Sequence, residues 1–309
     1  MAMRIGCIGE CMIELSRIDL ADGRARIGFA GDTMNTAIYL ARRCGGGSVD
    51  YVTLLGTDAF SHGILDMLAV EGVGTQFIGR HPDRLPGIYA IETDAAGERS
   101  FRYWRENSAA RLLFGGIGAT LDDLAAFDVI YLSGITLAIL PPHQRSTLIA
   151  RLGALKDEGR RIVFDTNYRR RLWPDETTAR EAFDAMWRAT SIALPSRDDE
   201  AKLWPGLSAE AIVERIAKLG LAEIVLKDGD QGPLLWSGDA PHRAALPRAK
   251  SVVDTTGAGD SFNAGYLAAR LAGAGPVDAA ASGHRLAATV IGHHGAIIAR
   301  AAMPDQGSL

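Results

Sequence analysis

Cysteine is scarce in this chain: Cys7, Cys11 and Cys44 are the three in 309 residues. Three thiols at those spacings exclude a disulfide framework and a cysteine-based zinc site, and they read as buried free thiols in a reducing compartment. Charge of one sign is also missing. The 33 Lys+Arg and 37 Asp+Glu residues leave a formal net charge of −4. That balance offers no basic face for nucleic acid, and no Lys/Arg block suits an anionic membrane. No apolar run reaches the roughly 18 residues of a membrane span. The opening "MAMRIGCIGE" meets a charged residue too soon for a signal peptide, so the cytoplasm is the expected location. Repeats, linkers and low-complexity tracts are absent as well. A length of 309 residues, 47% of them hydrophobic and 23% charged, fits a soluble globular enzyme of one large α/β domain or two modest ones.

What is present is an alternation of short apolar runs with helical patterns, as in βαβ units. Strands are expected at 4–9, 49–56, 127–134, 160–167, 191–196 and 222–229. Their Val/Ile-rich, non-alternating character suits strands covered on both faces. Helices are expected at 32–43, 58–72, 143–158, 176–189, 208–219, 260–273 and 276–291. One stretch departs from this rhythm. "GIYAIETDAAGERSFRYWRE" (87–106) alternates with period two around Asp94-Ala95-Ala96-Gly97, which predicts a hairpin with Gly97 in a left-handed bulge. Pairing Asp94 with Glu98 sets Tyr89 opposite Tyr103, with Arg105 on the same face as Tyr103. Such a flap is either a surface hairpin with an aromatic pair or a lid presenting hydroxyls and a guanidinium to a polar ligand.

The densest motif is "DTTGAGDSFNAGYL" at 254–267. It passes into a helix through Gly257-Ala258-Gly259, where first-turn amides and the helix dipole favour an anion. Known nucleotide loops do not match. GxxxxGK[ST] is absent, Phe262 stands where a dinucleotide fingerprint needs its third glycine, and HRD and DFG strings are missing. Asp260 is therefore informative. A carboxylate inside an anion-binding turn would repel phosphate, but phosphoryl transfer also needs a base for the attacking hydroxyl. Taken alone, "GAGD" also fits an aspartate that merely caps a helix.

The whole string resembles the C-terminal signature of the ribokinase-like (PfkB) sugar kinases. The resemblance extends through "IGECMIELS", "GDTMNTAIYLAR", "YLSGITLAIL", "FDTNYRRRLW" and "HGAII" to essentially the whole chain. It implies a single domain over 1–309 with an α/β fold of three layers, α/β/α, a mostly parallel central sheet and a small β-sheet lid formed by about 11–31 and 85–106. It implies phosphorylation by ATP with Mg²⁺, Asp260 as the base, and Gly257, Ala258 and Gly259 as the anion hole. Gly31, Asp32 and Asn35 would bind sugar hydroxyls, while Tyr89, Tyr103 and Arg105 would cover the sugar from the lid. Arg169 would stand where substrate and phosphates meet. Asn167, Lys227, Gly229 and Gly232 would border ATP together with Gly257 and Gly259.

The family's Asn-x-x-Glu, which organises Mg²⁺, appears here as Ser196-Arg197-Asp198-Asp199, leaving Asp199, or the adjoining Glu200, for that role. The resemblance also implies a monovalent cation, K⁺, at Asp254 and Thr256. Ala30 replaces a glycine usual in relatives. His293 and His294 read as structural or surface residues, and Arg170 and Arg171 as a solvated basic turn. The stretch at 85–110 and "NYRRRLW" resemble the branch that phosphorylates 2-dehydro-3-deoxygluconate at its 6-hydroxyl. A carboxylate-bearing sugar rewards fixed guanidinium groups, and Arg105 and Arg169 are the candidates. The alternatives are fructose, ribose or the galacto epimer as acceptor, a sugar-binding regulator without catalysis, and a dinucleotide-dependent dehydrogenase. A homodimer or larger homo-oligomer is expected, because an isolated lid has exposed edges.

Overall fold

The computed structural model describes residues 3–93, 99–238 and 240–305. Its strands are β1 (Ile5–Ile8), β2 (Met12–Asp19), β3 (Arg24–Ala30), β4 (Val49–Leu55), β5 (Ile78–Arg80), β6 (Gly87–Thr93), β7 (Arg99–Trp104), β8 (Val129–Ser133), β9 (Arg161–Asp165), β10 (Ile192–Ala193), β11 (Glu223–Leu226), β12 (Leu234–Trp236) and β13 (His242–Arg243). Its α-helices are α1 (Asp32–Cys44), α2 (Ala59–Val70), α3 (Gly134–Ile139), α4 (Pro142–Asp157), α5 (Glu176–Arg188), α6 (Arg197–Leu203), α7 (Ala209–Ala217), α8 (Ala258–Leu271) and α9 (Pro276–Val290).

Among the described residues, nine strands form one sheet in the order β13-β12-β11-β10-β9-β8-β1-β4-β5, parallel except for the β12 and β13 edge. Strands β4 and β8 are buried along their whole length, because helices cover both faces. One helix layer (α3 to α7) packs on Ile130, Leu132, Ile162 and Phe164. The other (α1, α2, α8 and α9) packs on Cys7, Tyr51, Val129 and Tyr131. The chain runs from β1 outward to β4 and β5, then returns to β8 on the other side of β1. Strand order thus reverses at β1 and β8, and open α/β sheets place their ligands off the carboxyl ends at such a point. Helix α8 is seated tightly there. A Cβ on Gly265 would lie 2.9 Å from the Cα of Gly283, so only paired glycines let α8 and α9 approach this closely.

A separate four-stranded sheet, β3-β2-β6-β7, comes from the two segments expected to form a lid. Tyr89 does pair with Tyr103, and the ladder runs out to Thr93 opposite Arg99. The expected turn at Asp94–Gly97, its Glu98 pairing and the Gly97 bulge lie outside the described residues.

Several elements differ from the sequence expectation. The strand at 191–196 shrinks to Ile192–Ala193, since Pro195 cannot donate to a ladder. The strand expected at 127–134 ends at Ser133, and "GITLAI" after it, for which no element was expected, folds as the short helix α3. Helix α8 begins at Ala258, two residues before Asp260. Cys44 at the end of α1 is exposed, whereas Cys7 and Cys11 are buried as expected.

Candidate active site

The site grows from the start of α8. Gly257 caps the helix with φ +77°, and a Cβ there would sit 2.7 Å from the Ala296 carbonyl oxygen. Handedness and space both demand glycine. Asp254 anchors the turn. Its Oδ1 accepts from the Thr256 amide (3.0 Å) and hydroxyl (2.7 Å), and its Oδ2 accepts from the Gly295 amide at 2.6 Å. Asp254 and Thr256 are thus bonded to each other. Of the first-turn amides, that of Ala258 donates to the Thr255 carbonyl at 3.2 Å, whereas those of Gly259 and Asp260 have no preceding helical carbonyl and suit an anion.

Asp260 sits in that first turn, half-buried, facing the start of α1. Asn35 Nδ2 donates to its Oδ2 at 2.8 Å, and Thr36 Oγ1 donates to its carbonyl at 3.2 Å. Asp32 lies beside it, held by Ser133 Oγ at 2.5 Å and Asn167 Nδ2 at 2.6 Å. Withdrawal from water, followed by the Asp32 charge, raises the Asp260 pKa from 3.8 to about 8, against the pull of the Asn35 hydrogen bond. A carboxylate raised in this way is a stronger proton acceptor than a solvated one, as a base for a sugar hydroxyl should be. Gly31 brings the chain to this point. It is extended, yet a Cβ on it would collide with the Glu10 carbonyl oxygen.

Lys227, expected at ATP, turns inward instead. Its Nζ donates to Asp165 Oδ1 and Asn263 Oδ1, both at 2.9 Å, and lies 3.7 Å from where a Cβ on Gly259 would be. Burial pushes the Asp165 carboxyl up, while Lys227 and Asn263 hold it down. The ammonium therefore stands behind the anion-binding turn and adds positive potential to it. Asn263 also donates to Asp165 Oδ2 (2.8 Å) and to the Tyr131 hydroxyl (3.0 Å). Sequence reasoning missed Asp165 and Asn263 as parts of the site. The one available signal was their polarity within apolar runs.

Gly229 and Gly232, at φ +52° and +77°, shape the β11–β12 turn, where Asp228 meets Arg243 at 3.0 Å. Asp199, at the start of α6, accepts from the Tyr168 amide at 3.2 Å and from Lys202 at 3.1 Å, with Arg169 at 3.4 Å. Glu200 is a buried structural group. It accepts from Thr166 at 2.8 Å and Arg215 at 3.2 Å, and its pKa is raised to about 7, chiefly by burial.

The small sheet turns one face toward Asp260. Tyr89 and Tyr103 stack there at 5.9 Å. Two expectations need correction. The Tyr89 hydroxyl is not presented to a ligand, because it donates to Glu14 on the neighbouring strand. Arg105 does share the Tyr103 face as expected, its guanidinium 5.8 Å from the centroid of that ring, but it is not presented to a ligand either. It lies one residue past the strand, is buried, and forms an ion pair with the buried Glu10. Glu10 sits where the chain crosses between the two sheets. Gly31 abuts its carbonyl, a Cβ on Gly87 would lie 3.0 Å from its Oε1, and Arg105 binds its other oxygen. A third correction concerns the basic turn. Arg171 is not simply solvated, since its guanidinium lies over the Tyr103 ring, 5.4 Å from the centroid. His293 and His294 are exposed in the turn that follows α9, where His293 Nδ1 meets the Thr289 carbonyl oxygen at 2.9 Å, as the sequence suggested.

A sheet-end cleft with an aspartate in the first turn of an anion-binding helix, closed from above by a small sheet, defines a small-molecule phosphotransferase. The sequence matches the pfkB family carbohydrate kinase profile over residues 3–302, and the chain belongs to that family. It is 44% identical to the 2-dehydro-3-deoxygluconokinase of Escherichia coli (strain K12), over 98% of this chain and 100% of that one. Its identity to the 2-dehydro-3-deoxygluconokinase of Dickeya dadantii (strain 3937) is 46%, over 97% of this chain and 98% of that one. Among solved structures, a putative ribokinase II from E. coli in complex with ATP and Mg²⁺ superposes with a TM-score of 0.81 at 22% identity. That match covers 95% of this chain and 94% of the other. Among the described residues no helix is long and apolar enough to cross a membrane.

Proposed function

We propose that the protein transfers the γ-phosphoryl group of ATP to the 6-hydroxyl of 2-dehydro-3-deoxy-D-gluconate. The observation that carries the chemistry is Asp260 within 2.8 Å of Asn35, in the first turn of α8. The substrate assignment rests on the full-length relatives. Asp260 takes the proton of the 6-hydroxyl, the oxygen attacks the γ-phosphorus in line, and the bond to the β–γ bridging oxygen breaks to release ADP. The turn Gly257-Ala258-Gly259 receives the equatorial oxygens, the Ala258 amide exchanging its Thr255 carbonyl partner for one of them, with Lys227 behind. Asp32 and Asn35 receive sugar hydroxyls beside Gly31. Gly229 and Gly232 border the nucleotide.

Magnesium supplies charge neutralisation on the β- and γ-phosphates. Among the described residues no group of three His, Cys, Asp or Glu side chains is gathered, which suits an ion brought in on phosphates rather than caged by protein. Asp199 fits an outer contact to that ion, since Lys202 and Arg169 already share its charge. The Asp254–Thr256 turn is the place for a monovalent cation such as K⁺.

We place the enzyme in the cytoplasm. A second copy of the chain covers the outward face of the small sheet, where Trp104 and Ile27 are 58% and 53% exposed. The deciding assay is a panel with Mg·ATP: the keto acid, its galacto epimer, fructose and ribose. Turnover of the keto acid at least tenfold above the neutral sugars is expected, and equal turnover of fructose overturns the substrate assignment.

A further inference from the structure

A charged acceptor needs a cation that no carboxylate of the protein already neutralises. Three arginines lie near the lid side of the cleft. Arg105 also lies over the Tyr103 ring, 5.8 Å from its centroid, but it is paired with Glu10 inside the protein. Arg169 is shared between Asp199 Oδ1 at 3.4 Å and the Tyr168 carbonyl at 2.9 Å. Arg171 has no acidic partner among the described residues, and its guanidinium is poised over Tyr103. The short 3₁₀ turn Arg170–Leu172 explains the divergence. At three residues per turn, successive side chains leave about 120° apart. Arg170 turns back to the Trp173 carbonyl at 3.2 Å and toward Glu176 at 4.0 Å, whereas Arg171 turns to the lid.

Tyr103 fixes which side of the lid this is. It stacks on Tyr89, whose hydroxyl is pushed well above its usual range by burial, then by Glu14 and, more weakly, by Tyr103 and Asp260. The same face therefore looks toward the base. Arg171 follows the carboxyl end of β9 and reaches across to that face, so it spans the mouth of the acceptor site.

We propose that Arg171 determines specificity by binding the carboxylate of the acceptor, with Tyr103 as the platform that holds its guanidinium plane. This rests on the sugar-acid reading above. The cation–π contact orients the guanidinium without neutralising it and leaves its N–H fork for a planar carboxylate. Loss of one charge-assisted contact of this kind corresponds to about tenfold to hundredfold in binding.

The test is steady-state kinetics of wild type, Arg171→Ala and Arg171→Lys on 2-dehydro-3-deoxygluconate and on its methyl ester, with the KM for ATP measured in parallel. Arg171 is exposed, so its replacement leaves the fold intact. Arg171→Ala is expected to raise the KM for the acid at least tenfold, with the ester and ATP values within twofold of wild type. Arg171→Lys is expected to fall between. Wild-type turnover of the acid with an unchanged KM in Arg171→Ala overturns this proposal alone. A wild type that does not phosphorylate the acid overturns the substrate reading and this proposal together.

Discussion

Replacing Asp260 by asparagine should make the protein more stable and nearly inactive, and the size of the gain should depend on pH. The carboxamide keeps an oxygen for Asn35 Nδ2 and removes the repulsion from Asp32. The folded protein raises this carboxyl from 3.8 to about 8. Between those values the folded state holds a proton that the unfolded chain has released. The stabilisation by that proton is complete below about 3.8 and is lost as pH rises through about 8. A shift of that size corresponds to roughly 6 kcal/mol at about 1.4 kcal/mol per unit. Halved for the partial exposure of Asp260, it leaves on the order of 3 kcal/mol above pH 8 and under about 1 kcal/mol at pH 5. Urea unfolding of both proteins at pH 5 and pH 8.5 reads this difference directly. Turnover should fall by a factor of about 10² to 10⁴, the usual worth of a positioned base. An asparagine variant no more stabilised at pH 8.5 than at pH 5 refutes the destabilised carboxylate, and near-normal turnover refutes the base.

Two further outcomes follow from the same geometry. Because Asp260 acts only when ionised, kcat/KM should climb with pH and level off above about 8, and a flat profile between pH 6 and 9 contradicts that role. Arg105→Ala should act first on stability, since it strands the buried Glu10. A loss of roughly 3–5 kcal/mol in thermal or urea unfolding is expected, partly restored by Glu10→Gln, whereas a change within about 1 kcal/mol means the pair is not what holds the lid base.

How far the sequence speaks depends on how local each feature is. The anion-binding turn was legible because its glycines, its helix start and Asp260 occupy four consecutive positions. The sheet was legible because strands buried on both faces leave apolar runs. The Tyr89–Tyr103 register followed from alternation together with the choice of Asp94 and Glu98 as the pair flanking the turn. Pairings between distant segments were not legible. Asn35 reaches Asp260 across 225 positions, and Lys227 finds Asp165 across 62. Alternation put Arg105 on the Tyr103 face correctly, but nothing in "GEC" near the start announced that Glu10 would meet it and hold it inside. Arg171 was set aside because three adjacent arginines look alike on paper, although a tight turn sends them to three different neighbours.

The paired glycines between α8 and α9 bear on how this protein can change. With Gly265 and Gly283 in contact, the helix that carries Asp260 has no slack to rotate or slide, so the phosphate end of the cleft is a fixed datum. The acceptor end is assembled from pieces remote in the chain, the lid strands and the basic turn after β9, which can accept substitutions without disturbing that datum. A lineage, or an engineer, can therefore exchange the acceptor by rewriting positions such as Tyr103 and Arg171 while the transfer chemistry stays as it is.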